Sequence, residues 1–177
     1  MTKVLVTGAN GYIGHHVVDD LIAKGCEVIA VSRNNSGINP KAKFCNESIF
    51  SGNPELYRYF GYPDACIHLA WRDGFEHNSN AHMRDLSKHY EFLTNMIDAG
   101  LPRLSVMGTM HEIGYWEGAI DENTPCNPRS QYGIAKNALR QSMLLYASKR
   151  KTKLNWLRAY YITGDDARSH SIFSKLL

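Results

Sequence analysis

The sequence predicts an α/β fold: a parallel sheet with helices packed on both faces. Three observations predict it. Short apolar runs alternate with helix-like patterns along the 177 residues. The first apolar run breaks into a glycine-rich turn that opens a helix. The helical patterns are long enough to carry the chain back across a sheet between parallel neighbours.

The elements follow in order. Residues 3–6 form a first strand around Val4, Leu5 and Val6. Residues 12–24 form a helix with Ile13, Val17, Val18, Leu21 and Ile22 on one face, stopped at Gly25. Residues 27–32 form strand two, and 33–40, rich in Asn, Ser and Gly, a polar loop. Residues 42–46 are a short third strand, 54–60 a short helix with Pro54 in its first turn, and 65–70 a fourth strand. A long helix over 80–99 carries Met83, Leu86, Tyr90, Leu93 and Ile97 and ends at Gly100 and Pro102. Strand five is 103–107, a second long helix follows Pro125 and Pro128 over 129–149, and strand six is 154–162. Right-handed crossovers between these strands give a doubly wound Rossmann arrangement. Residues 171–177 read as the opening turns of one more helix, an odd place for a domain to finish, so the sequence is expected to be a fragment.

Bulk properties exclude several classes. The chain suits one domain with a sizeable core. Net charge is +3 with dispersed basic residues, and the run Lys149, Arg150, Lys151 and Lys153 fits the solvated end of a helix, so no nucleic acid is expected. No apolar stretch approaches the ~20 residues that span a bilayer, and no membrane association is expected. The four cysteines, Cys26, Cys45, Cys66 and Cys126, show no Cys-x-x-Cys or zinc spacing. Reduced thiols and a cytoplasmic location are the plain expectation, and no metal is invoked.

The turn Thr7-Gly-Ala-Asn-Gly-Tyr-Ile-Gly14 carries the first chemistry. Gly8 permits the tight turn, Gly11 lets backbone approach a pyrophosphate, and Gly14 lets helix pack on strand. Gly8, Asn10, Gly11, Tyr12, Ile13 and Gly14 are the candidate contacts to a dinucleotide, whose pyrophosphate would sit on the helix N-terminus.

Tyr132 and Lys136 lie four apart on a helix, one turn from each other. A fixed cation favours phenolate, so Lys136 is expected to lower the pKa of Tyr132 towards the range of an acid/base catalyst. Thr109 follows strand five, at the strand ends where open α/β sheets place ligands, and its hydroxyl can donate to a carbonyl oxygen.

In this order, Thr7-Gly8-x-x-Gly11-x-x-Gly14, His68-Leu69-Ala70, Thr109 with Ile113-Gly114, Pro128 ahead of Tyr132-Gly133-x-x-Lys136, and Leu157-Arg158 leading to Gly164 resemble the extended short-chain dehydrogenase/reductase family, also called the NAD-dependent epimerase/dehydratase family. The resemblance implies a triad of Thr109, Tyr132 and Lys136, with Tyr132 as acid/base and Lys136 also holding the nicotinamide ribose. It implies that Leu69 and Ala70 line the cofactor cleft, and that the substrate is a nucleotide-linked sugar. It also implies a longer C-terminal substrate portion, most of which this chain lacks.

Departures from the family pattern narrow the reading. Ser32 and Arg33 stand where NAD-binding members usually carry an acidic residue. They suit a 2′-phosphate, so NADP(H) is the expected cofactor, with NAD as the alternative. Thr109 is followed by Met110 and His111 rather than the Asp-Glu pair of the 4,6-dehydratases. That leaves a 4-keto reductase, favoured by an NADP preference, or an epimerase. His111 is a candidate second acid/base or a partly exposed loop histidine. His82 and His89, seven apart on one helical face, read as solvent or interface residues. The resemblance also implies a candidate homodimer, with helices 80–99 and 129–149 as its interface. The alternatives are a reductase of a non-sugar ketone and a non-catalytic NADP(H)-binding or redox-sensing module.

Overall fold

The computed structural model describes residues 1–162; the turn at Gly164 and the helix opening over 171–177 lie outside the described residues. Its six strands pair in parallel throughout. β1 (Lys3–Thr7) lies between β2 (Glu27–Val31) and β4 (Ala65–His68). β3 (Lys43–Cys45) extends the sheet beyond β2, and β5 (Arg103–Thr109) and β6 (Lys153–Ala159) extend it beyond β4. The order β3-β2-β1-β4-β5-β6 is the doubly wound Rossmann order. The chain winds outward from β1 to β3, then crosses back to β4. This reversal opens a crevice at the carboxyl ends of β1 and β4.

Both faces of β1 are apolar because both are covered. Val4 and Val6 pack with Val18 of α1 (Tyr12–Ala23) on one face. Leu5 points the other way, into a larger cluster with Phe92, Leu93 and Met96 of α3 (Ala81–Asp98) and Leu139 and Met143 of α4 (Gln131–Ala147). α2 (Leu56–Tyr59) adds Leu56 and Tyr57 to that cluster. It is shorter than the 54–60 expected; the Glu55 amide donates to Asn53 Oδ1 in a local turn ahead of it. β5 runs two residues past its expected end, and β6 stops at Ala159 rather than at 162, because Thr109 and Ala159 are the last pair of their shared ladder.

The buried face of α3 differs from the expected one. Met83 and Tyr90 are exposed, whereas His82, Asp85 and His89 are buried together with Phe92, Leu93 and Met96. The expectation of solvent- or interface-facing His82 and His89 is therefore corrected. The first half of α3 lies under the crevice, and its polar residues are buried because each finds a partner there. All four cysteines are free, and burial pushes the Cys66 thiol up to about 12. Among the described residues no helix is long and apolar enough to cross a membrane.

Candidate active site

A cleft of about 510 Å³ opens at the switch point of the sheet. Gly8, Asn10, Gly11, Ser32, Arg33, Leu69 and Ala70, all singled out from the sequence, line it. Gly8 has φ +69°, and a Cβ there would stand 2.7 Å from the Ala70 amide nitrogen. A Cβ on Gly14 would stand 2.1 Å from Gly8 O, so the helix seats on the loop only without one. α1 begins at Gly11 with no side-chain cap and no acidic residue in its first turn. The start of α1, just past Gly11 on the cleft wall, thus carries no anion of its own. A glycine loop that closes on Ala70 and on α1 only without side chains, beside an uncapped helix N-terminus, fits a dinucleotide pyrophosphate. Tyr12, Ile13 and Gly14 belong to this first turn but do not line the cleft, and the Tyr12 ring packs on His15 and His16. Asn10 Nδ2 donates to Asn34 Oδ1 at 3.0 Å, tying the glycine loop to the loop after β2.

At that end Ser32 Oγ donates to Asn34 O at 2.5 Å, and the exposed Arg33 side chain stands at the rim. Glu47, two residues past β3, lines the same part of the cleft. Sequence reasoning looked for an acidic residue only at the end of β2 and passed over this one.

At the other end of the cleft stands Trp71. It lines the cleft, and its ring contacts both Tyr132 (centroids 6.2 Å apart) and the Lys136 ammonium (4.0 Å). The candidate catalytic residues lie beyond it. Thr109 is the last residue of β5, Tyr132 lies in the first turn of α4, and Lys136 follows one turn later. Ser130 caps α4 by accepting from the Gly133 amide, and the Tyr132 amide donates to His77 O at 2.9 Å. A Cβ on Gly133 would meet His111 O at 2.2 Å, so glycine there lets the start of α4 close on the turn after Thr109. The structure thereby brings the Thr109 and Tyr132 side chains close enough to interact.

Lys136 is turned elsewhere. It is 2% exposed, and Nζ donates to Met107 O at 2.7 Å under the Trp71 ring. Burial pushes its pKa down to about 7, against the opposing pull of Glu112. The expected lowering of the Tyr132 pKa by Lys136 is not what the structure shows. Burial raises that pKa above its ordinary value, the Thr109 hydroxyl works against the rise, and the Glu112 charge adds to it. Around Tyr132 stand three histidine rings: His77 stacked at 5.7 Å, His82 at 5.2 Å and His111 at 5.7 Å. Burial, then the neighbouring His77, lowers the pKa of His111.

Beneath the cleft runs a buried chain that sequence reasoning missed. Thr7 Oγ1 is 2.8 Å from His68 Nδ1, and His68 Nε2 is 2.9 Å from His89 Nδ1. Thr7 Oγ1 also accepts from the Ala70 amide, and Trp71 stacks on His89 at 4.3 Å. The chain thus holds Ala70 and Trp71, two of the cleft-lining residues after β4.

The chain shares this architecture with known proteins. The model of the NAD dependent epimerase/dehydratase family matches residues 4–176. The chain belongs to that family. It is 46% identical over 182 residues to dTDP-6-deoxy-L-talose 4-dehydrogenase (NAD(+)) from Aggregatibacter actinomycetemcomitans, covering 99% of this chain and 67% of that protein. A UDP-glucose 4-epimerase of Thermotoga maritima, solved with UDP-glucose, superposes with a TM-score of 0.83 at 26% identity over 96% of this chain and 60% of its own. MoeE5, solved with UDP-glucuronic acid and NAD, superposes with a TM-score of 0.81 at 25% identity over 98% of this chain and 60% of its own.

Proposed function

We propose that this chain carries the cofactor-binding and catalytic part of a nucleotide-sugar 4-dehydrogenase, acting on a dTDP-linked 6-deoxyhexose. The 46% identity to the talose 4-dehydrogenase over 99% of the chain carries the substrate class. The joining of Thr109 and Tyr132 beside a dinucleotide-sized cleft supports the chemistry. A nicotinamide dinucleotide, when bound, supplies the hydride acceptor or donor. Tyr132 Oη, as phenolate, takes the proton of the sugar 4-hydroxyl, or, as phenol, gives one to the 4-keto oxygen when the ketone is reduced; dehydrogenase and keto reductase are the two directions of one step. Thr109 steadies the same oxygen with its hydroxyl. Lys136, one turn further along α4, is held against Met107 O and the Trp71 ring, and would contribute a cation to the centre from behind that ring.

NAD(H) is the cofactor we favour. The relative is named for NAD(+), and Glu47 brings to the adenosine end a carboxylate able to accept from a ribose 2′-hydroxyl and to repel a 2′-phosphate. Arg33 keeps NADP(H) as the second reading. A homodimer through α3 and α4 is supported by the exposed Met83, Tyr90, Leu144 and Leu145.

Incubation with dTDP-6-deoxy-L-talose and NAD⁺, followed by nicotinamide absorbance, tests the reaction type. A dehydrogenase accumulates NADH in proportion to ketone. Interconversion of 4-epimers with no net NADH would show an epimerase instead.

A further inference from the structure

We infer that Glu112 is a positioning residue of this catalytic centre: its carboxylate fixes the end of β5 that carries Thr109 and sets a negative charge beside Tyr132 and Lys136. The inference rests on the reading of Tyr132 as the acid/base.

Glu112 is 0% exposed, the most deeply buried carboxylate among the described residues. Its place in the sequence is that of a capping box, Thr109-x-x-Glu112. Oε1 accepts from the Thr109 amide at 2.9 Å, while Thr109 Oγ1 accepts from the His111 amide at 3.3 Å. The hydroxyl oxygen is thereby occupied from behind, and its hydrogen is left to donate forward. From β6, Trp156 Nε1 donates to Oε1 at 3.0 Å and Arg158 Nε to Oε2 at 3.0 Å. From α4, Arg140 Nε stands 3.6 Å from Oε2. Every group aimed at the carboxylate is a donor, and two are guanidiniums, so the niche serves the charged form. A Cβ on Gly108 would meet Glu112 Oε1 at 2.6 Å and Trp156 Nε1 at 2.2 Å, so β5 itself is shaped around this contact.

The electrostatic consequence reaches both catalytic groups. Glu112 raises the pKa of Lys136 against burial, and it raises that of Tyr132. The other groups facing Tyr132 are Thr109, His111, His77, His82 and Trp71. Those facing Lys136 are Trp71 and the buried rings of His68 and His89. Glu112 is the carboxylate that acts on both catalytic groups.

The test is a carbon NMR titration of the full chain labelled at the tyrosine ζ-carbon, with Tyr132 assigned by its loss in Tyr132→Phe. Glu112→Gln keeps an acceptor for the Thr109 amide and removes the charge. The Tyr132 pKa should fall by about half a unit or more, and the pH profile of turnover should shift to the acid side with it. Glu112→Asp keeps the charge but is one methylene shorter. Its Tyr132 titration should stay close to wild type while kcat falls about ten-fold. If Glu112→Gln does not fold, Glu112→Met, which removes the charge and keeps an apolar side chain of similar length, carries the same titration. A folded charge-removal variant with an unmoved Tyr132 titration overturns the inference, as does a Glu112→Asp shift as large as that of Glu112→Gln. Turnover retained by Tyr132→Phe would count against the acid/base reading alone and would leave the titration result standing.

Discussion

His68 Nε2 and His89 Nδ1 lie 2.9 Å apart beneath the cofactor cleft, both rings almost fully buried. Burial holds them neutral: the pKa of His68 lies well below its ordinary value, and that of His89 is pushed down to about 3. In the unfolded chain both titrate near 6.5. From about pH 6.5 down towards about 3, the unfolded chain therefore binds protons that the folded chain does not. Folding stability should fall as pH drops through that window. Denaturant unfolding at about pH 7 and about pH 5 measures it. His89→Gln keeps a hydrogen-bond partner and removes one titrating ring, so its stability should fall less steeply. Equal slopes in the two proteins would contradict this account of the pair.

Lys136 gives a dependence at higher pH. Burial depresses its pKa from 10.5 to about 7, so the folded chain gives up this proton before the unfolded chain does. The burial penalty is full below about pH 7 and is relieved as pH rises towards 10.5, so this residue makes stability rise across that range. Lys136→Met should flatten the rise and lower turnover about a hundred-fold. A pH–stability curve unchanged by the substitution would count against the buried ammonium.

The cradle separates backbone strain from ligand approach. Gly8 and Gly25 both have positive φ, +69° and +77°, but a Cβ on Gly8 meets the Ala70 backbone while one on Gly25 meets nothing within 4 Å. Gly25→Ala should cost about 1 kcal/mol of stability and leave dinucleotide binding unaltered. Gly8→Ala should cost more and also weaken binding, because the shift it forces moves the loop against Leu69 and Ala70. Thermal melts and calorimetric titration with NAD⁺ read the two effects apart.

Cofactor choice rests on two rim residues. Glu47→Gln should weaken NAD⁺ and improve NADP⁺; Arg33→Ala should weaken NADP⁺ and leave NAD⁺ nearly unchanged. Wild-type protein that binds NADP⁺ more tightly would restore the preference read from Ser32 and Arg33.

Elements whose character is local were legible in the sequence. Val4 to Val6 running into Gly8, Gly11 and Gly14 specifies strand, turn and helix within a dozen residues, and the helical spacing of Tyr132 and Lys136 needs no distant partner. What depends on distant pairing was not legible. His89 reads as polar until His68, 21 residues earlier, is placed against it. The Lys136 ammonium turns to Met107 O and the Trp71 ring, two groups its own helix does not carry. Glu112 had a local signature, the Thr-x-x-Glu spacing of a capping box, but only β6 and α4 show that its carboxylate is buried.

The central claim is that Tyr132 moves the proton in a hydride transfer on a nucleotide-linked sugar. The most direct measurement compares turnover of dTDP-6-deoxy-L-talose with NAD⁺ by the unmodified chain and by Tyr132→Phe, with NAD⁺ affinity measured for both. The account predicts NADH formation by the first, a loss of about a hundred-fold or more in the second, and equal cofactor binding. Equal turnover by the two proteins would contradict it.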